Sequence, residues 1–210
     1  WSPDGREIAF STQGGVLQAA ALYRRSSISV GGDTLLGKSD KPNQGSFPQD
    51  WSSDGKTIVF SRSAGPTLAR NIWYMTLPGN STPVPYLESQ FQNGQAQLSP
   101  DGRWLAYASN DSGKAQIVVQ SFPDPKTAKV VVTRNGGTEP RWRRDGRELF
   151  YIAPDGKLMA VPVKAGDTFE AGTEMALFET PLRGGIIAGF FRYDVSADGK
   201  RFLIIVPTSG

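Results

Sequence analysis

Gln97-Leu98-Ser99-Pro100-Asp101-Gly102-Arg103-Trp104-Leu105-Ala106-Tyr107-Ala108-Ser109 reads as two short strands joined by a tight turn. Pro100 presets φ for the second turn position, and Asp101 can bond back to nearby backbone amides. Gly102 then supplies the positive φ that closes the hairpin. The stretch is one of a series. An Asp-Gly pair recurs at Asp4, Asp54, Asp101, Asp145 and Asp198, at intervals of 50, 47, 44 and 53 residues.

The copies share more than the turn. Three residues before each Asp stand Trp1, Trp51, Leu98, Trp142 and Val195, and two residues after it stand Arg6, Lys56, Arg103, Arg147 and Lys200. Four and six residues after it come Ile8/Phe10, Ile58/Phe60, Leu105/Tyr107, Leu149/Tyr151 and Phe202/Ile204. The residue between each pair (Ala9, Val59, Ala106, Phe150, Leu203) is apolar too. A strand apolar on both faces is packed between sheets rather than facing water. One such hairpin every 40–50 residues or so predicts an all-β chain built from β-propeller blades.

The blades are predicted at about 1–40, 46–89, 91–135 and 137–180, with a half blade at 186–206 and no second domain. Within them, second strands are expected near 6–12, 57–63, 148–153 and 201–206, with Leu105 and Tyr107 on that of the third unit, and outer strands include 116–121 and 129–133. Joining the first and last units would duplicate a second strand, so the expectation is an open arc of about four and a half blades. On that reading Ile8, Phe10, Phe202 and Ile204 lie near exposed ends, and the chain, which opens without Met, is a piece of something longer. Trp1, Trp51 and Trp142 are read as packing between blades, and Trp104, out of that register, is expected to matter less.

Composition narrows the chemistry. The 210 residues contain neither Cys nor His, which removes disulfides, thiolate metal sites and a Ser-His-Asp triad. The 23 Lys and Arg are scattered, so the net charge of +3 predicts no nucleic-acid groove. Apolar runs are far shorter than the ~20 residues a membrane helix needs. Gly32-Asp33-Thr34-Leu35-Leu36-Gly37-Lys38-Ser39 satisfies the phosphate-loop pattern. That chemistry requires the loop to open a helix, and the following Pro42 and Gly45 oppose one. The match is therefore read as accidental. No catalytic, cofactor-binding or metal residue is predicted. The aspartates before each Gly are read as turn formers rather than as a carboxylate ring.

One position per unit remains. Asp50, Gln97, Arg141 and Asp194 each precede the inner-strand packing residue, and all are polar where the second strand is apolar. Inner strands line a propeller's central channel, so these four are the candidate channel-lining residues.

Trp1-Ser2-Pro3-Asp4-Gly5-Arg6-Glu7-Ile8-Ala9-Phe10 and the 98–107 block resemble the WD40-like repeats of the TolB propeller family. Three stretches, 47–51, 139–146 and 148–161, look like the C-terminal propeller of bacterial receptor-type serine/threonine protein kinases. In such kinases a cytoplasmic catalytic domain precedes a membrane helix and an extracytoplasmic propeller. The resemblance implies a non-catalytic sensor segment, bacterial and periplasmic, that binds a protein or small ligand and packs against the remaining blades of its parent. It carries over no kinase residue, because the Gly-rich loop, His-Arg-Asp and Asp-Phe-Gly are all missing from these 210 residues. The alternatives are a stand-alone TolB-like periplasmic interaction protein and the propeller of a prolyl-oligopeptidase-type hydrolase.

Overall fold

The structure is a computed structural model that describes residues 1–12, 21–38, 44–63, 69–78, 82–126, 128–183, 185–186 and 190–206. Among them are eighteen strands and no helix. All strand pairs are antiparallel, in five successive sheets. The first joins β1 (Glu7–Ser11), β2 (Leu22–Ser26) and β3 (Thr34–Gly37). The second runs in order through β4 (Ser46–Trp51), β5 (Thr57–Ser63), β6 (Arg70–Thr76) and β7 (Val84–Leu87). The third does the same with β8 (Asn93–Leu98), β9 (Trp104–Ser109), β10 (Gln116–Ser121) and β11 (Lys129–Val131).

The fourth sheet is larger. β12 (Thr138–Trp142) pairs with β13 (Glu148–Ile152), and β13 with the nine-residue β14 (Lys157–Ala165). The two halves of β14 then pair separately with β15 (Phe169–Ala171) and β16 (Met175–Glu179), two strands the sequence reading did not foresee. The last sheet is a hairpin of β17 (Tyr193–Val195) and β18 (Phe202–Ile204). Among the described residues β1 pairs only with β2 and β18 only with β17, so the arc is open.

The repeated turn is held by a side chain as well as by its glycine. Ser52 Oγ donates to Asp54 Oδ1 at 2.6 Å and accepts the Thr57 amide at 2.8 Å, while Asp54 Oδ1 also accepts the Lys56 amide at 3.0 Å. Ser2, Ser99 and Ser196 repeat the arrangement around Asp4, Asp101 and Asp198. In the fourth unit Arg143 takes the serine's place and reaches Asp145 at 2.6 Å through Nε. The serine bond, then the backbone amide two residues on, hold the Asp4, Asp54 and Asp198 carboxyls below the usual range. These aspartates build turns, which settles their role. The phosphate-loop match is likewise structural: Thr34–Gly37 is the edge strand β3, though residues 39–43 lie outside the described residues.

Packing between units follows one rule. The residues four and six after Asp54, Asp101, Asp145 and Asp198 face the preceding sheet, and after the first three of these the residue between them faces the following one. Ile58 and Phe60 join Leu22 and Leu36 of the first sheet, whereas Val59 joins Leu98, Leu105 and Tyr107 of the third. Leu149 and Tyr151 meet Trp104 and Ile117, whereas Phe150 and Ile152 meet Tyr193. Each such side chain buried contributes about 1.5–3 kcal/mol, so the sheets hold one another.

The rule corrects one expectation. Phe202 and Ile204 face backwards and pack on the Phe150 cluster, with the Phe202 and Phe150 rings 5.2 Å apart. Leu203 is the residue left forward-facing, 75% exposed. At the other end Trp1, expected to pack between blades, is instead 71% exposed, and among the described residues no sheet lies on that side of it.

Candidate functional site

An inner strand pairs along one edge with its second strand and turns the other edge to the propeller axis. The amides on that inner edge need partners. They find them in side chains of the preceding unit. Asp50 Oδ2 accepts the Leu98 amide at 2.8 Å, and Gln97 Oε1 accepts the Trp142 amide at 2.6 Å. A second row lies two residues earlier. Gln95 Oε1 accepts the Glu139 amide at 3.1 Å, and Glu139 Oε2 accepts the Arg192 amide at 2.6 Å. In the second row each bond joins equivalent positions of neighbouring units, and in the first row each reaches one residue further on, so the inner edges are stapled blade to blade.

The second row depends on bulges. The ladder skips between Gly94 and Gln97 and again between Thr138 and Arg141. Within these gaps Gln95 (φ 52°) and Glu139 (φ 59°) adopt the left-handed backbone that non-glycine residues rarely take. Such a conformation costs on the order of 1 kcal/mol and persists only where its surroundings fix it. Both residues are buried, and both side chains are bonded. The sequence reading missed this row because it took one polar position per unit. The signal was nonetheless there, in Gln95, Glu139 and Arg192 at matching offsets.

Above the first row lies a recess of 430 Å³ on the axis, at the end that carries the Asp-Gly turns. Every unit contributes to it: Pro3, Asp50, Gln97, Arg144 and Asp194 come from the five in turn. Three of the four candidate channel-lining residues, Asp50, Gln97 and Asp194, are thus brought together. Arg141 is not part of the lining. Its guanidinium lies 3.9 Å from the centre of the Phe191 ring, donates through Nε to Tyr193 O at 3.3 Å and stands 3.8 Å from Asp194. A donor there cannot accept the next amide, so the Val195 N–H turns to its own neighbour, Asp194 Oδ1, at 2.9 Å.

Burial pushes the Asp50 carboxyl up to about 6, against the lowering effect of the Leu98 and Trp51 amides. A neutral Asp50 therefore favours the fold. That contribution is fully present below about pH 4 and is lost as pH rises through 6. Asp50→Asn keeps an acceptor for the Leu98 amide and removes the charge. It is expected to raise stability by about 1–2 kcal/mol at neutral pH and to change it little near pH 4, as urea melts at the two pH values will show.

Among the described residues no three carboxylates converge as a metal-binding group. The recess offers instead two carboxylates, an exposed guanidinium, hydroxyls and apolar walls, a mixture of polar and apolar groups able to hold a ligand.

No protein-family model matches the chain. Its arc superposes on TolB from Acinetobacter baumannii with a TM-score of 0.67 at 19% identity, covering 95% of this chain and 46% of that one. The fold is that of a TolB-type propeller. Prolyl oligopeptidase B from Galerina marginata contains a similar arc, with a TM-score of 0.64 at 10% identity over 96% of this chain and 29% of the enzyme. In sequence, the uncharacterised peptidase YuxL of Bacillus subtilis is 32% identical over 89 residues, which make up 41% of this chain and 13% of the peptidase. The chain thus spans less than half of the TolB structure and about an eighth of this curated relative.

Proposed function

We propose that the chain is a non-catalytic propeller segment that binds a protein or small ligand in its axial recess. We further propose that it forms the extracytoplasmic sensor part of a bacterial membrane-anchored serine/threonine kinase. The observation that carries the binding role is the recess itself, where Pro3 of the first unit meets polar side chains from the other four. The kinase parentage rests on the stretches 47–51, 139–146 and 148–161, of which 139–142 and 148–152 are the first two strands of the fourth sheet. A second reading, the propeller of a prolyl-oligopeptidase-type hydrolase, is favoured by the similarity to YuxL and by the fungal oligopeptidase arc.

The reading frame around residues 1–210 separates the two. A kinase core and membrane helix upstream are expected, whereas a Gly-x-Ser-x-Gly elbow downstream would establish the hydrolase. Purified 1–210 is expected to turn over neither ATP nor peptide substrates. ATP hydrolysis lost on Lys38→Ala would overturn the non-catalytic reading.

A further inference from the structure

The stapling job at the inner edge needs no charge. Gln97 performs it with a neutral amide, accepting the Trp142 N–H at 2.6 Å. One unit earlier the same job is given to Asp50, whose carboxyl is desolvated and has no ion-pair partner within 4.0 Å among the described residues. A carboxylate has room for about four hydrogen bonds, and Asp50 has the Leu98 and Trp51 amides as donors. Asp50 lines the recess, which is where its charge and remaining acceptor capacity can be met. A desolvated carboxylate that lines a cleft, and whose charge the architecture does not require, is a candidate for ligand contact.

We infer that the axial recess takes a cationic side chain, the ammonium of lysine or the guanidinium of arginine, presented by a protein partner and held between Asp50 and Asp194. The inference rests on the recess being the binding site proposed above and adds the chemistry of its ligand. Asp194 reaches the recess from the last unit with its side chain 67% exposed, and its ion pair to Arg141 is a long one at 3.8 Å. Pro3, Leu98, Pro100 and Val195 offer an apolar lining for the methylene stem of the incoming side chain. The volume of 430 Å³ falls in the range of about 300–1,000 Å³ typical of ligand pockets. Arg144 stands exposed at the mouth without a carboxylate partner among the described residues, placed to meet carbonyl or acidic groups that flank the basic residue.

The charged side chain acting on Asp50 is Arg141, with Asp194 and Arg144 sharing the recess. A bound cation adds a nearer positive charge and favours the ionised carboxylate. Binding should therefore weaken as Asp50 takes up its proton.

The indole N–H groups of Trp51 and Trp142, both in the recess lining, report occupancy by NMR. The probes are the N-acetyl, N-methylamide derivatives of lysine, norleucine and glutamate. Near pH 7.5 the lysine probe is expected to shift both indole signals saturably, and the norleucine probe is not. Affinity for lysine should fall about tenfold near pH 5 in the wild type, and by at least as much in Asp50→Asn near pH 7.5. Equal shifts with norleucine, or lysine affinity unchanged in Asp50→Asn, would overturn the inference. Preference for the glutamate probe would overturn it while leaving the recess as a binding site of other chemistry. If none of the probes moves either indole at about 100 mM, where even millimolar affinities saturate, the recess reading falls as well.

Discussion

Trp142→Ala and Trp104→Ala are each expected to destabilise the chain by about 3–5 kcal/mol, the cost of emptying a large buried aromatic site. The two indoles are equally buried, at 4% and 3% exposure, within the cluster that joins the third and fourth sheets. Phe169 stands between them, its ring centre 6.1 Å from that of Trp142 and 5.6 Å from that of Trp104. Each indole N–H is also spent: Trp142 Nε1 donates to Gln97 O and Trp104 Nε1 to Gly166 O, both at 3.1 Å. This corrects the expectation that Trp104 matters less. In the register of the second strands Trp104 looks like a rim residue. It is buried because β15, from a segment with no repeat signal, folds back and caps it with Phe169. Urea melts of both variants check the equality. A loss below about 1 kcal/mol for Trp104→Ala would mean that β15 does not cap it.

Arg192→Met is expected to cost a similar amount, about 3–5 kcal/mol, for a different reason. Glu139 is fully buried, and its carboxylate is met by the Arg192 amide at 2.6 Å, by Nε at 2.7 Å and by Nη2. Arg192 also donates to Arg183 O at 2.7 Å. Methionine keeps much of the stem but leaves a buried carboxylate with no cation. The double variant Glu139→Gln with Arg192→Met removes the orphaned charge and should recover most of the loss. Without that recovery, the cost would lie in packing rather than in charge.

The fold was legible because the repeat states it five times. The expected strands at 57–63 and 116–121 are the observed β5 and β10 to the residue. The turn chemistry followed from Asp-Gly, and the two-faced apolar pattern of the second strands from their position between sheets. What the repeat does not carry was lost. β15 and β16 belong to one unit alone, so no periodic signal announces them. The direction in which Phe202 and Ile204 face depends on which neighbour each parity meets, and only packing reveals that. At the site, Asp50, Gln97 and Asp194 were found as polar exceptions on an inner strand. The row of Gln95, Glu139 and Arg192 was not, because its geometry depends on bulges and left-handed backbone that a sequence pattern does not display.

At the centre of this account, side chains of one inner strand staple the backbone of the next and so build the recess. Native-state hydrogen exchange tests that directly. Outside the sheet ladders, the amides of Leu98, Glu139, Trp142 and Arg192 have as acceptors the side chains of Asp50, Gln95, Gln97 and Glu139. They should exchange as slowly as the β9 and β13 ladder amides, and Gln97→Ala should release the Trp142 amide while leaving those ladders protected. Exchange of these four amides at the rates of exposed turns, in a chain whose ladders are protected, would show that the staples do not form.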